Sequence, residues 1–148
     1  MLLKEICTPD VVCCGSATSV LAAARIMRQK HVGALVIVDD DEDQLPLGIV
    51  TDRDIVVEVL GNDRDPAVTK VHEIVRSPVV IAYETEDASQ AVERMRTHGV
   101  RRLPVLGAQR KVVGIISLDD LIKQLAVDAS ALSDIVAREQ SHEHRLRK

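Results

Sequence analysis

Two segments of the sequence place a hydroxyl residue three positions before an aspartate, each at the end of an apolar run that contains a glycine. They are Thr51 with Asp54 and Ser117 with Asp120. One interpretation is a helix capping box, in which hydroxyl and carboxylate satisfy backbone amides. The other is a ligand site, in which free amides and the hydroxyl bind a phosphate and the carboxylate binds ribose hydroxyls. Occurrence at two corresponding points favours the ligand site and leaves capping open.

These segments belong to an internal repeat that covers most of the chain. Residues 27–32 match residues 95–100 at an offset of 68, with Met, Arg and Val in common positions. Residues 48–55 match residues 114–121 at an offset of 66, so two residues are lost in a turn between the matches. We call 48–54 the first motif and 114–120 the second motif. A repeated unit of this size indicates that neither copy buries its core alone.

Each repeat has the pattern of a strand, a helix, two strands and a helix. The predicted elements are a strand at 11–13, a helix at 19–30 and a hairpin of 34–38 with 47–50, then a helical turn at 71–75, a strand at 79–81, a helix from the capping pair Asp87 and Gln90 to Gly99, and a hairpin of 103–106 with 112–116. Because the hairpin strands are apolar throughout, both of their faces need cover. This predicts an α/β fold of two βαββα repeats packed through their sheets.

The repeats set the expected domain boundaries at 1–62 and 63–126, followed by a C-terminal helical tail at 127–148. Around the start of this tail, apolar residues alternate at spacings of four and three, which is typical of a coiled-coil seam. They are Ile122, Leu125, Ala129, Leu132 and Val136. Such a seam needs a partner. Folding back on the chain's own core is the alternative, and we favour a homodimer.

Composition argues against several classes of protein. The chain has 148 residues, a formal net charge of −4 and one aromatic residue, Tyr83. Interspersed charges and few aromatic rings argue against a nucleic-acid partner, and the apolar runs are too short to cross a membrane. No secretory signal is recognisable, so we expect a cytoplasmic protein with Cys7, Cys13 and Cys14 as reduced thiols and no metal site. Because no nucleophile with a positioned base can be named, we expect no enzymatic activity.

The two motifs resemble the signature of the CBS domain, a family whose tandem pairs are called Bateman modules. The signature is Gly, two hydrophobic residues, Thr or Ser, two further residues and Asp, as in both motifs, and the resemblance runs from about residue 4 to about residue 125. It implies two βαββα units joined through their sheets. It also implies that Asp54 and Asp120 hold ribose hydroxyls and that Thr51 and Ser117 contact phosphate.

The same resemblance implies that backbone and side chains near Val12, Cys13, Val80 and Ile81 line an adenine ring. The implied function is a regulatory module for AMP, ADP, ATP, S-adenosylmethionine or a dinucleotide. No cofactor is required, and the expected target is a separate protein or an oligomer of the chain itself. An oligomerisation or partner-binding scaffold with a vestigial ligand site remains the alternative.

Three arginines are the expected phosphate-binding cations. They are Arg53, Arg101 and Arg102, and Lys30, His31 and His98 near the helix-to-strand bends are further candidates. Arg53 lies inside the first motif, whereas the second motif has Asp119 at the same place. The two sites are therefore not expected to bind one ligand equally, and the Thr51 site ranks first for phosphorylated ligands. The strand glycines of both motifs are expected to let a flat base approach the backbone.

Overall fold

The computed structural model describes residues 1–40, 45–75 and 78–146. In chain order the elements are α1 (Leu3–Ile6), β1 (Cys13–Gly15), α2 (Val20–Lys30), β2 (Ala34–Val38), β3 (Pro46–Thr51), α3 (Asp52–Asp54) continued by a π-helical segment (Ile55–Leu60), α4 (Val71–Ile74), β4 (Ala82–Tyr83), α5 (Ala88–His98), β5 (Arg102–Leu106), β6 (Val112–Ser117) and α6 (Leu118–Leu146). The α/β fold of two βαββα repeats is confirmed. Residues 41–44, in the turn of the first predicted hairpin, and residues 147–148 of the tail lie outside the described residues.

Each repeat forms one three-stranded sheet with the same strand order. β2 and β5 are central, with β1 and β4 parallel to them and β3 and β6 antiparallel. The last four residues of each central strand are buried, so both faces of these strands are covered, as predicted. The strands β3 and β6 differ from the prediction, because they lie at sheet edges and turn Leu47 and Val113 to solvent.

The first strand of each repeat begins later than predicted. The prediction placed strands at 11–13 and 79–81, whereas the structure has β1 at Cys13–Gly15 and β4 at Ala82–Tyr83. Val79 and Val80 instead line a cleft ahead of the sheet. An apolar run signals burial and does not by itself fix which residues pair with the neighbouring strand.

The long helices α2 and α5 both begin at side-chain caps, and those of α5 are the caps that the sequence predicts. Ser19 Oγ accepts the N–H of Ala22 at 3.1 Å and caps α2. Asp87 and Gln90 form a capping box at the start of α5, where the N–H of Asp87 donates to Gln90 Oε1 at 2.8 Å. Gly99 ends α5 with a φ of 64°, a left-handed conformation that glycine adopts without a Cβ clash.

The short helices α1 and α4 are exchanged between the cores of the two repeats. Although α1 precedes the first repeat, Leu3 is fully buried in the core cluster of the second repeat, which includes Leu103 and Ile116. Although α4 leads into the second repeat, Val71 and Ile74 are buried in the core cluster of the first. Each core is therefore incomplete without the other repeat, and the pair is one folding unit.

The strand glycines of the two motifs make room for this crossing. A Cβ added at Gly48 would lie 2.7 Å from Val75 Cγ1, and one added at Gly114 would lie 2.5 Å from Cys7 Sγ. Both distances are shorter than carbon and sulfur atoms tolerate without movement. Close packing of the crossing segments is therefore one reason for glycine at both positions. The expectation that these glycines let a ligand base approach the backbone stays a prediction.

We expect Gly48→Ala to destabilise the fold by about 1–3 kcal/mol, because the new methyl group overlaps the Val75 side chain. In a Val75→Ala background the same change should cost less than about 1 kcal/mol, since the clashing methyl groups are gone. Urea denaturation of the four proteins in this double-mutant cycle measures both values. An equal cost in both backgrounds would show that the clash is not the reason for glycine here.

Candidate functional site

A cleft between the repeats brings the first motif against segments of the second repeat. Its volume is about 640 Å³, and we call it the first cleft. It is lined by residues 48–49, 51–54, Glu58, 74–75, 78–80 and 99–102. Residues 99–102 include the end of α5 and the start of β5, so a turn of the second repeat faces a turn of the first.

The first motif forms a capping box where β3 passes into α3. Thr51 Oγ1 accepts the N–H of Asp54 at 3.1 Å, and Asp54 Oδ2 accepts the N–H of Thr51 at 2.9 Å. Thr51 retains extended dihedral angles, which turn its hydroxyl toward the start of the helix. The capping interpretation is thereby confirmed for this motif.

The second motif has the same geometry where β6 passes into α6. Asp120 Oδ2 accepts the N–H of Ser117 at 2.9 Å and its hydroxyl at 2.7 Å. The N–H of Asp120 donates to Ser117 Oγ at 3.2 Å. Within residues 1–40, 45–75 and 78–146, the capping bonds of both motifs use Oδ2, and Oδ1 of Asp54 and of Asp120 accepts no hydrogen bond. Capping therefore leaves one oxygen of each carboxylate for another donor.

Among the described residues, three arginines line the first cleft and come from both repeats. Arg53 follows Thr51 on the first repeat, and Arg101 and Arg102 come from the second repeat, 50 residues away in sequence. Arg101 lies 3.9 Å from Asp119, with side chains 73% and 67% exposed, so this ion pair is weak and easily exchanged. Planar guanidiniums on two sides of a cleft suit an anion with several oxygens.

The first cleft also has an apolar part of its lining. Val79, Val80 and Val100 line it with partly buried side chains, next to Ile49 of β3. Branched aliphatic side chains offer a surface for the face of an aromatic ring without competing for its hydrogen-bonding edge. The cleft thus places an apolar wall, a carboxylate and cations within one space.

Six of the residues singled out from the sequence line the first cleft. They are Thr51, Arg53, Asp54, Val80, Arg101 and Arg102. The other five lie elsewhere. Ser117 and Asp120 form the second motif, Val12 and Cys13 lie at the start of β1, and the carbonyl oxygen of Ile81 accepts from Arg94 Nη1 at 2.6 Å.

Sequence reasoning missed several lining residues. Pro78 and Val79 directly precede the predicted Val80, so a boundary placed two residues earlier would have included them. Glu58 lies four residues after Asp54, a spacing that puts both on one helix face. For Ile74 and Val75 the sequence holds no comparable signal, because they reach the cleft through the exchange of α4.

The cysteines lie in environments that suppress thiolate formation. Burial raises the pKa of the Cys14 thiol to about 11 and also raises the pKa of Cys7 and of Cys13. Protonated thiols are weak nucleophiles and weak metal ligands at neutral pH. No group of three His, Cys, Asp or Glu side chains in the described ranges is arranged to hold a metal ion.

A bilayer-crossing helix is likewise not found in the part of the chain that the structure describes.

Comparison with known proteins agrees with the repeat and its fold. The model of the CBS domain family matches residues 3–61 and 71–127. Hypoxic response protein 1 of Mycobacterium tuberculosis H37Rv is 34% identical over 122 residues, which are 82% of this chain and 83% of that protein. The uncharacterised protein MK0525 of Methanopyrus kandleri is 29% identical over 80% of this chain, which spans 60% of that protein's length.

A solved structure shares the architecture. The CBS domain pair of protein MJ0100, crystallised with 5'-methylthioadenosine and S-adenosyl-L-methionine, has a TM-score of 0.73 and 26% identity, over 86% of this chain and 98% of that one. The two sequence matches coincide with the two sheets, and each matched segment contains one of the capped Thr/Ser and Asp motifs. The chain belongs to the CBS domain family and carries two CBS domains in tandem.

Proposed function

We propose that this chain is a regulatory module that binds an adenosine-containing ligand in the cleft between its two CBS domains. The candidate ligands are AMP, ADP, ATP, S-adenosylmethionine and adenine dinucleotides. The observation that carries the proposal is the first cleft, which joins an apolar wall, the Asp54 carboxylate and three guanidiniums. The proposed setting is the cytoplasm, and the proposed target is a separate protein or an oligomer of the chain.

The base, the ribose and the phosphates of an adenine nucleotide each fit a part of this cleft. The arginines suit the phosphates. The apolar surface of Val79, Val80 and Val100 suits the adenine ring. Asp54 Oδ1 is available to ribose hydroxyls because the capping bond uses Oδ2. The capping bonds also hold the carboxylate in place before any ligand arrives, which lowers the entropy lost on binding.

The solved pair that binds 5'-methylthioadenosine and S-adenosyl-L-methionine supports the adenosyl part of this proposal. Both of those compounds contain adenosine and neither contains phosphate. A related fold therefore accommodates the base and ribose. Which 5' substituent a ligand of this chain carries depends on the residues of its own cleft.

A scaffold without a ligand is the second candidate, and α6 favours it. The described side chains from Leu125 to Arg145 are exposed, including Leu132 at 65% and Val136 at 53%. Most of the stability of a helix in a protein comes from tertiary packing of its apolar face, so a partner would stabilise this exposed segment. We propose that a second copy provides that partner and that the homodimer forms along the seam.

Asp54→Ala and Asp120→Ala should each weaken ligand binding at their own site by roughly tenfold to a hundredfold, because a hydrogen bond to a charged carboxylate contributes about 1.5–3 kcal/mol. Calorimetric titration with AMP, ATP and S-adenosylmethionine measures the change. The loss of the capping bond should lower the free energy of unfolding by only about 1 kcal/mol.

Asp134→Ala is the matched control, since Asp134 is an exposed acid on α6 outside both motifs and outside the seam. Unchanged affinity in both variants, for a ligand that the parent protein binds, would refute the carboxylate assignment. Lower stability in both, together with no binding by the parent, would favour the scaffold.

Leu132→Asp should weaken the homodimer at least about 30-fold, because a buried apolar contact is replaced by an unpaired charge. Val127→Asp is the matched control, since Val127 is 61% exposed on the side of α6 away from the seam. Light scattering over a range of micromolar concentrations gives the masses. A monomeric parent protein, or equal loss of dimer in both variants, would contradict the seam.

Incubation of the pure protein with ATP, ADP or AMP should give no product beyond the uncatalysed background. Among the described residues that line the first cleft there is no Ser, Cys or His, and the Thr51 hydroxyl accepts the capping bond from the N–H of Asp54. The thiol pKa values are raised as well. Chromatographic analysis of the nucleotides after prolonged incubation tests this. Product in proportion to protein, retained through further purification, would show an enzyme.

A further inference from the structure

The two repeats are related closely enough to compare their clefts position by position. Ala34 pairs with Thr51 in the first sheet, and Arg102 pairs with Ser117 at the same place in the second. The crossing contacts also correspond, with Val75 against Gly48 and Cys7 against Gly114. The surface at the second motif that corresponds to the first cleft is called the second cleft below.

The cations of the first cleft have no counterparts in the second. At three corresponding positions the first cleft has a guanidinium, and the second has an acid, no side chain or a methyl group. The pairs are Arg53 with Asp119, Arg101 with Gly33, and Arg102 with Ala34. Pro78, which lines the first cleft, corresponds to Asp10, so a further acid is added at the second.

The acids do not offset this difference. Among the described residues, three carboxylates line the first cleft and equal its arginines in number, namely those of Asp52, Asp54 and Glu58. The corresponding positions of the second cleft hold the carboxylates of Asp10, Asp119 and Asp120, the imidazole of His31 in place of Gly99, and no arginine or lysine. A polyphosphate therefore meets a neutral surface with guanidinium forks in one cleft and an acidic surface in the other.

We propose that the two clefts divide adenosine ligands by charge. The first cleft binds a nucleoside polyphosphate, with its phosphate chain held by Arg53, Arg101 and Arg102, and the second binds adenosine compounds without phosphate. This inference rests on the proposed function, because the ribose contact of each motif holds the nucleoside. It adds what each cleft selects at the 5' position.

The arginines are available for this role. In the described ranges, Arg53 and Arg102 form no ion pair, and the pair of Arg101 with Asp119 is long and exposed. A phosphate oxygen can replace an exposed carboxylate at small cost. Such replacement would also separate Arg101 from the second motif when the first cleft fills.

The test is calorimetric titration of the full chain with ATP and with adenosine, which shares the base and ribose and lacks phosphate. The parent should bind one ATP per chain and two adenosines. The triple variant Arg53→Asp, Arg101→Gly, Arg102→Ala gives the first cleft the residues of the second. It should lose at least about 30-fold in ATP affinity and less than about threefold in adenosine affinity.

A second triple variant, Arg28→Asp, Arg138→Ala, Arg145→Ala, lowers the net charge equally on exposed helix positions and should leave ATP affinity within about threefold. Retention of ATP affinity in the first triple variant, equal loss of ATP and adenosine affinity, or two equivalent ATP sites in the parent would overturn the division by charge. A parent that binds neither compound would overturn the proposed function itself.

Discussion

Burial of β2 and β5 on both faces is the constraint on which the rest of the structure depends. When one helix packs on a three-stranded sheet, it covers one face of the central strand, so another element must cover the other face. The exchanged helices provide part of it, since Leu3 completes the core of the second repeat and Val71 that of the first. A single CBS domain of this chain would expose those strands, which explains why the two repeats occur together.

The clefts are a consequence of this exchange. The crossing segments pack on Gly48 and Gly114 and hold the two sheets in fixed relation, so the turn at Thr51 faces the turn at Arg101. Neither repeat contains a complete site, because the carboxylate comes from one and two of the guanidiniums from the other. A ligand bound in the first cleft would contact both repeats and would therefore stabilise the folded pair.

Local signals in the sequence predicted local structure well. Asp87, Gln90 and Gly99 fixed the ends of α5 because caps depend on neighbouring residues, and the apolar hairpins appeared within about one residue of their predicted bounds. The capping box at Thr51 is also local. Contacts over 50 or more residues were not predictable, and so the exchange of α1, the reason for Gly48 and the place of Arg101 opposite Thr51 required coordinates.

The repeats diverge most after their motifs, and the reason lies in the chain that follows. In the first repeat the π-helical segment keeps Val59 fully buried, and the breaker-rich residues 61–66 end the helix. Leu125 holds the corresponding position in the second repeat and is 69% exposed, because α6 has no Gly or Pro and continues in regular α geometry to Leu146. The first repeat thus ends in a helix that packs on the core, and the second repeat ends in a helix that extends away from it. The surfaces at the two motifs also differ in charge, so one repeated fold carries two different surfaces.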